Sequence, residues 1–258
     1  MKKRFLLLSI FAILAISFIS YQVTHALFSD TAQSQDNTFS AAEVFPTTSP
    51  TLTPTPTPTP TPDLSGIADH VVISEVQING GPGDAEHDFI ELYNPTSVPF
   101  DLIGHRLVKR AGNSSTDDTI KSWIASTMVP AHGFYLWASS GDPTFPVTIG
   151  ADTSTTDELT SSNSIALRNG VENTGIIVDA LSWNDGSTLG EGNEFDPDPG
   201  GDQSIERKAL STSTAPTMAI GGADEFKGNG FDLNDNATDF ILRTLSQPQN
   251  SGSGTEMP

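Results

Sequence analysis

The sequence predicts an all-β fold, a two-layer antiparallel sandwich, on three observations. Its apolar segments are short, mostly β-branched or aromatic, and divided by Gly, Asn, Asp and Pro. Within Asp88–Asn94 the residues alternate, Ile90 and Leu92 on one face and Phe89, Glu91 and Tyr93 on the other; this is the period of a strand. The long segments between the apolar blocks carry no helical period, which disfavours alternating α/β units.

Taken in order, the chain opens with Lys2, Lys3 and Arg4, the apolar run Phe5–Tyr21, and Thr24-His25-Ala26. That is the plan of a secretory signal over residues 1–26, with Ala26 the candidate cleavage point. The run also meets the lower limit of about 17 residues for a membrane-spanning helix, so an uncleaved signal anchor is the alternative. Residues 27–45 form a polar segment. Its Leu27-Phe28-Ser29-Asp30-Thr31 and Asn37-Thr38-Phe39-Ser40-Ala41-Ala42 resemble the N-terminal segment of camelysin-like and biofilm-matrix fibre proteins, which implies export. Residues 46–65 are a linker, almost only Thr and Pro up to Pro62. Proline fixes φ and removes a donor, so the linker is expected to be an extended spacer of roughly 3.1 Å per residue, a stalk.

The sandwich is expected over residues 66–250. Strands are predicted near Val71–Ile78, Asp88–Asn94, Leu102–Lys109, Phe134–Ala138, Ser164–Arg168, Ile176–Trp183, Ser204–Arg207 and Phe240–Leu242. In the third block Leu102 and Leu107 have opposite parity, and a bulge at Gly104 would turn both to the core. The fourth is apolar on both faces and is expected to be internal. The acidic segments 139–163, 184–202 and 209–236 read as loops, and 251–258 as a flexible tail.

The blocks ISEV, DFIELYNP, FDLIGHRL, VPAHGFYLWA, SIALRNG, IIVDALSW, SIERK and NDNATDFILRTLSQPQN occur in the order seen in the lamin-tail domain. The resemblance spans about residues 68–250 and is closest to the secreted bacterial form. It implies an immunoglobulin-like β-sandwich with no shared catalytic residues. The sequence departs from the family at His105, where an aromatic is usual, and at Asp88, where Glu is commoner.

Composition excludes several function classes. The formal charge is −20, and loss of residues 1–26 removes three of the 12 basic residues and none of the 32 acidic ones, leaving −23. Such a surface repels nucleic-acid phosphates and anionic headgroups. With no Cys there is no disulfide, thiolate nucleophile or Cys-based zinc site.

Glu75, Glu91, Asp179 and Glu206 fall in strand blocks. A glycosidase needs two carboxylates flanking one cleft, but the favoured reading is that these accept hydrogen bonds from loops or backbone or face solvent. Asp84-Ala85-Glu86-His87-Asp88 reads as a solvated turn. His70, His105 and His132 show no HExxH spacing. Oxygen ligands alternate at Asp232, Asn234, Asp235 and Asp239, and Asp196, Asp198 and Asp202 crowd a second loop, so calcium is the candidate ion, although an ordinary turn-forming loop is the favoured reading of both. An EF-hand is rejected, because Ala237 and Arg243 stand where Gly and Glu are required. Asn113 and Asn236 begin N-glycosylation sequons.

The sequence thus reads as an exported or surface-tethered, non-catalytic interaction module whose partner is an extracellular or envelope protein or glycan. It would touch a membrane only through an uncleaved N-terminus. The alternatives are a Ca²⁺-dependent carbohydrate-binding module using Trp123, Trp137 or Trp183, and a hydrolase with convergent carboxylates.

Overall fold

A computed structural model describes residues 64–112, 114–184 and 189–258. The expected signal, the polar segment, most of the Thr/Pro linker and the sequon residue Asn113 lie outside them. Among the described residues no helix is long and apolar enough to cross a membrane.

The described residues form twelve strands: β1 (Val72–Gln77), β2 (Phe89–Tyr93), β3 (Phe100–Asp101), β4 (His105–Ala111), β5 (Asp118–Ser122), β6 (Met128–Val129), β7 (Phe134–Ser139), β8 (Thr153–Thr155), β9 (Asn163–Asn169), β10 (Ile176–Ser182), β11 (Ser204–Arg207) and β12 (Phe240–Arg243). Three single turns of helix join them: α1 (Phe145–Thr148), α2 (Ala215–Met218) and α3 (Asn236–Asp239). A six-stranded sheet runs β12-β11-β1-β2-β7-β8, a four-stranded sheet runs β10-β9-β4-β5, and β3 pairs with β6. Every pairing is antiparallel except β7 with β8. All eight predicted strand blocks form. The four short additions, β3, β5, β6 and β8, were not expected; β5 has one buried residue, Ile120, in an otherwise polar run that gives no alternation signal.

The core lies between the sheets. Val76, Ile90, Leu92 and Trp137 of the larger sheet meet Leu107, Ile165, Leu167 and Leu181 of the smaller. Burying each such side chain contributes about 1.5–3 kcal/mol, which is what holds the layers together. β7 is internal, as its two apolar faces require: Tyr135 and Trp137 enter this core, while Leu136 and Ala138 pack with Phe89 and Phe145 on the outer face. His105 takes the packing place of the usual aromatic, its ring edge-on to Phe100 at 5.0 Å.

Three local expectations are corrected. Leu102 and Leu107 are both buried, but Gly104, at φ 80°, sits in a turn closed by the bond from the His105 amide to the Leu102 carbonyl, not in a bulge. Leu102 therefore precedes the strand and is free of its parity. Residues 251–258 are docked: Tyr93 donates its hydroxyl to the Glu256 carbonyl, and the Gly228 amide bonds the Met257 carbonyl at 3.0 Å. The segment has too few apolar residues to announce that docking; backbone hydrogen bonds carry it. The Asp84–Asp88 turn is only partly solvated, because Asp88 is fully buried and the His87 ring stacks on Phe145 at 4.2 Å.

Candidate functional site

The polar chemistry of the domain gathers in three places. The first is a row of glutamates on the outer face of the larger sheet. Register sets Glu75 opposite Glu206 on one side and opposite Glu91 on the other. All three are buried, under the strap that follows β12. The Gln247 amide donates to Glu75 at 3.1 Å and the Gln249 amide to Glu91 at 2.5 Å. Ser204 and Ser74 hydroxyls serve the same two carboxylates, while Asn229 and Arg243 serve Glu206. Burial, then the neighbouring Glu75 charge, pushes Glu206 up to about 8; Glu91 is raised by the same two causes. A cavity of about 160 Å³ beside the strap adds Asp224, Glu225 and Glu256 to this acidic face. A hydrolytic pair needs open access to substrate. Here the carboxylates are covered and engaged by backbone and side-chain donors, as the hydrogen-bonding reading expects.

The second is a buried knot between the layers. β1 bulges between Ile73 and Glu75, and its ladder with β11 begins only at Glu75, so the Ile73 backbone needs other partners on that side. They are charged side chains: the Ile73 carbonyl accepts from Arg207 Nε at 2.9 Å, and its amide donates to Asp179 at 2.5 Å. A second bulge, between Ile177 and Asp179 in β10, accompanies the inward turn of Asp179. Arg207 Nη2 lies 2.8 and 2.9 Å from its two oxygens, and the guanidinium sits 4.4 Å above the Phe240 ring. Asp232 is 3.3 Å from Nη1. Burial alone would lower the Arg207 pKa, but Asp179, Asp232, Glu191 and Asp239 more than offset it. Burial, then the Asp179 charge, pushes Glu191 up to about 9.

The third is a cleft of about 680 Å³ between loops. Loops 79–85 and 200–203 are tied together: Gly81 donates to Asp202 Oδ1 at 2.9 Å and Asp202 to the Asn79 carbonyl at 3.2 Å. Gly80 closes its own turn onto the Asp84 carbonyl at 2.8 Å. A Cβ on Gly201 would stand 2.4 Å from the Gly80 carbonyl, so only glycine allows this approach. Glu158, Thr160 and Ser161 form the facing wall.

The residues expected to bind calcium are divided among these places. Asp202 ties the cleft loops, while Asp196 and Asp198 are exposed. In the other loop Asp232 Oδ1 accepts from the Asn234 amide, Asp239 Oδ2 accepts from Leu233 and Asp235, and Asp235 accepts from Asn193, all at 2.9–3.0 Å. These are turn-forming contacts. Among the described residues the His, Asp and Glu side chains whose ligand atoms come within 4.8 Å of one another as a group are His70, Asp179 and Asp232. Asp232 thus belongs to a different constellation from the one its own loop suggests. Asn236 is fully buried, taking the Ser182 and Glu191 amides at 3.0 Å and giving its own to the Ala180 carbonyl at 2.9 Å; in the folded domain that sequon is inaccessible. Trp123, Trp137 and Trp183 are buried in the inter-sheet core, so none supplies the surface platform a carbohydrate-binding module would use.

Arg207 was missed, although SIERK holds the signal. Arg207 shares parity with the buried Ile205, and an inward Arg demands an inward carboxylate.

No curated protein gives a significant match to the chain. The family model described as Lamin Tail Domain matches residues 67–185, which contain β1 to β10; that family is an immunoglobulin-like one, not typically catalytic. Residues 67–185 are thus similar to the lamin-tail family and form part of an immunoglobulin-like β-sandwich that β11 and β12 extend.

Proposed function

We propose that the chain is an exported, stalk-mounted, non-catalytic recognition module, and that its partner, an extracellular or envelope protein or glycan, enters the glycine-lined cleft. The observation that carries this is the cleft itself: about 680 Å³, built from three loops, two of which are tied together by hydrogen bonds. Loops on a rigid sandwich are where such folds carry recognition, and bracing before binding lowers the ordering cost of association. Export rests on the basic, apolar and small-residue order of residues 1–26 and on the Thr/Pro spacer.

Capture from fractionated envelope proteins and glycans tests the site. The wild-type chain should retain a partner that Ala85→Trp, which fills the cleft, and Glu158→Lys, which reverses its charge, each retain at least about tenfold less. Both positions are exposed, so folding is spared. Equal retention by all three chains would remove the cleft from the account. For localisation, recovery of the intact, uncleaved chain from soluble cytoplasm would count against export.

A further inference from the structure

We infer that His70, Asp179 and Asp232 form a binding site for one divalent metal ion of the kind that takes mixed imidazole and carboxylate ligands, at the edge of the Arg207 knot. The site shares no residue with the cleft and stands whether or not the cleft binds a partner.

Three observations carry the inference. The first is geometry. One atom from each of His70, Asp179 and Asp232 lies within 4.8 Å of the other two. His70 Nε2 and Asp232 Oδ2 are 3.6 Å apart, beyond hydrogen-bonding distance. Two ligands on a tetrahedral zinc at about 2.0–2.2 Å are separated by roughly 3.4 Å. His70 Nδ1 is 3.2 Å from Asp69 Oδ1; in the tautomer that donates Nδ1–H to Asp69, Nε2 is an acceptor facing Asp232.

The second observation is charge. Asp179, Asp232, Glu191 and Asp239 all act on the single buried guanidinium of Arg207. Asp179 and Asp232 share the one guanidinium, at 2.8 and 3.3 Å, and a second cation beside them offsets their mutual repulsion.

The third is unmet bonding capacity. Asp239 is fully buried, and its Oδ1 has no hydrogen-bond partner; neither does the buried Oε2 of Glu191, whose carboxyl also contacts Asp179. Buried polar atoms in folded proteins rarely lack a partner. Both oxygens lie in the group that shares Arg207. A divalent ion held by His70, Asp179 and Asp232 adds positive charge beside these carboxylates. His70 is half-buried, with 32% of its side chain exposed, so the ion reaches the site from solvent.

The test uses the untagged full-length chain, stripped with chelator, and Zn²⁺ as the probe, with Ca²⁺ in parallel at matched ionic strength. Calorimetric titration should give one Zn²⁺ per chain at this site, with a rise in melting temperature that NaCl does not reproduce. His70→Ala should weaken Zn²⁺ binding about tenfold or more while the metal-free melting temperature is unchanged, since the ring is not part of the core. His87→Ala removes a different acid-flanked histidine, one that lies 3.0 Å from Asp142, and should leave binding intact. Absence of Zn²⁺ binding, binding unaffected by His70→Ala, or binding lost in His87→Ala instead would each overturn the inference. A preference for Ca²⁺ that persists in His70→Ala would do so too, by removing the imidazole from the site.

Discussion

The glutamate row and the Arg207 knot bury carboxylates in the same β1–β11 neighbourhood and neutralise them differently. On the outer face Glu75 and Glu91 are met by backbone amides of the strap and by serine hydroxyls. Burial raises their pKa values, as it does that of Glu206, which has the Arg243 guanidinium beside it at the edge of the row. Between the sheets Asp179 faces a guanidinium fixed by two carbonyls and a phenyl ring. The lesson is one of access. An outer face can be closed by any chain segment with free amides, whereas an interior bulge must be satisfied by whatever side chains reach it.

The largest expected effect would break the comparison from the inside. Arg207→Met leaves Asp179 buried without its partner and should destabilise by about 3–5 kcal/mol, read as a lower urea midpoint. Adding Asp179→Leu should recover much of that loss, since an ion pair replaced by apolar groups is often neutral. If the single change costs under about 1 kcal/mol, the knot is not the charge-dependent brace described here.

Truncation after Thr244 attacks the outer face. It removes the Gln247 and Gln249 amides from the glutamates and the Glu256 carbonyl from Tyr93. Each buried group left unsatisfied costs about 1–3 kcal/mol, but solvent can enter once the strap is gone and return part of it. The expected loss is therefore smaller than for Arg207→Met, and a truncated domain as unstable as that variant would reverse the ranking.

A further effect sharpens the contrast through pH. In the unfolded chain Glu206 and Asp88 titrate near 4.5 and 3.8, and in the folded domain each is pushed up to about 8, chiefly by burial. Between those values the folded state holds more protons, so stability is full below the unfolded pKa and is lost as pH rises through about 8. The urea midpoint should be lower near pH 8.5 than near pH 5.5. Truncating the strap should flatten that slope by rehydrating Glu206, leaving the share due to Asp88. A midpoint that climbs over this interval would show the outer row ionised throughout.

His105 in place of an aromatic and Asp88 in place of Glu are departures whose outcome depended on packing. His105 kept an aromatic role by turning its edge to Phe100. Asp88 became fully buried, accepting from the Leu159 amide at 2.6 Å. Neither result follows from residue identity.

What the sequence determined by itself is eight of the twelve described strands and the facing of those with clear alternation. Alternation in β2, the doubly apolar β7 and the Gly, Asn, Asp and Pro breaks are local signals, and side chains two residues apart must share a face. Even the inward Arg207 was written there, in the parity of Ser204-Ile205-Glu206-Arg207. Tertiary structure alone decided the partners. Arg207 meets Ile73 across 134 residues, and Gln249 reaches Glu91 across 158. The cleft and the His70–Asp179–Asp232 constellation likewise join residues far apart in the chain. Contacts of that span leave no period in the sequence, because they depend on strand order and on where two bulges shift parity. The acidic loops showed the same limit: alternating oxygens specify a turn and a metal site equally well, and only the fold assigned Asp232 to His70 and Asp179 and its neighbours to backbone amides.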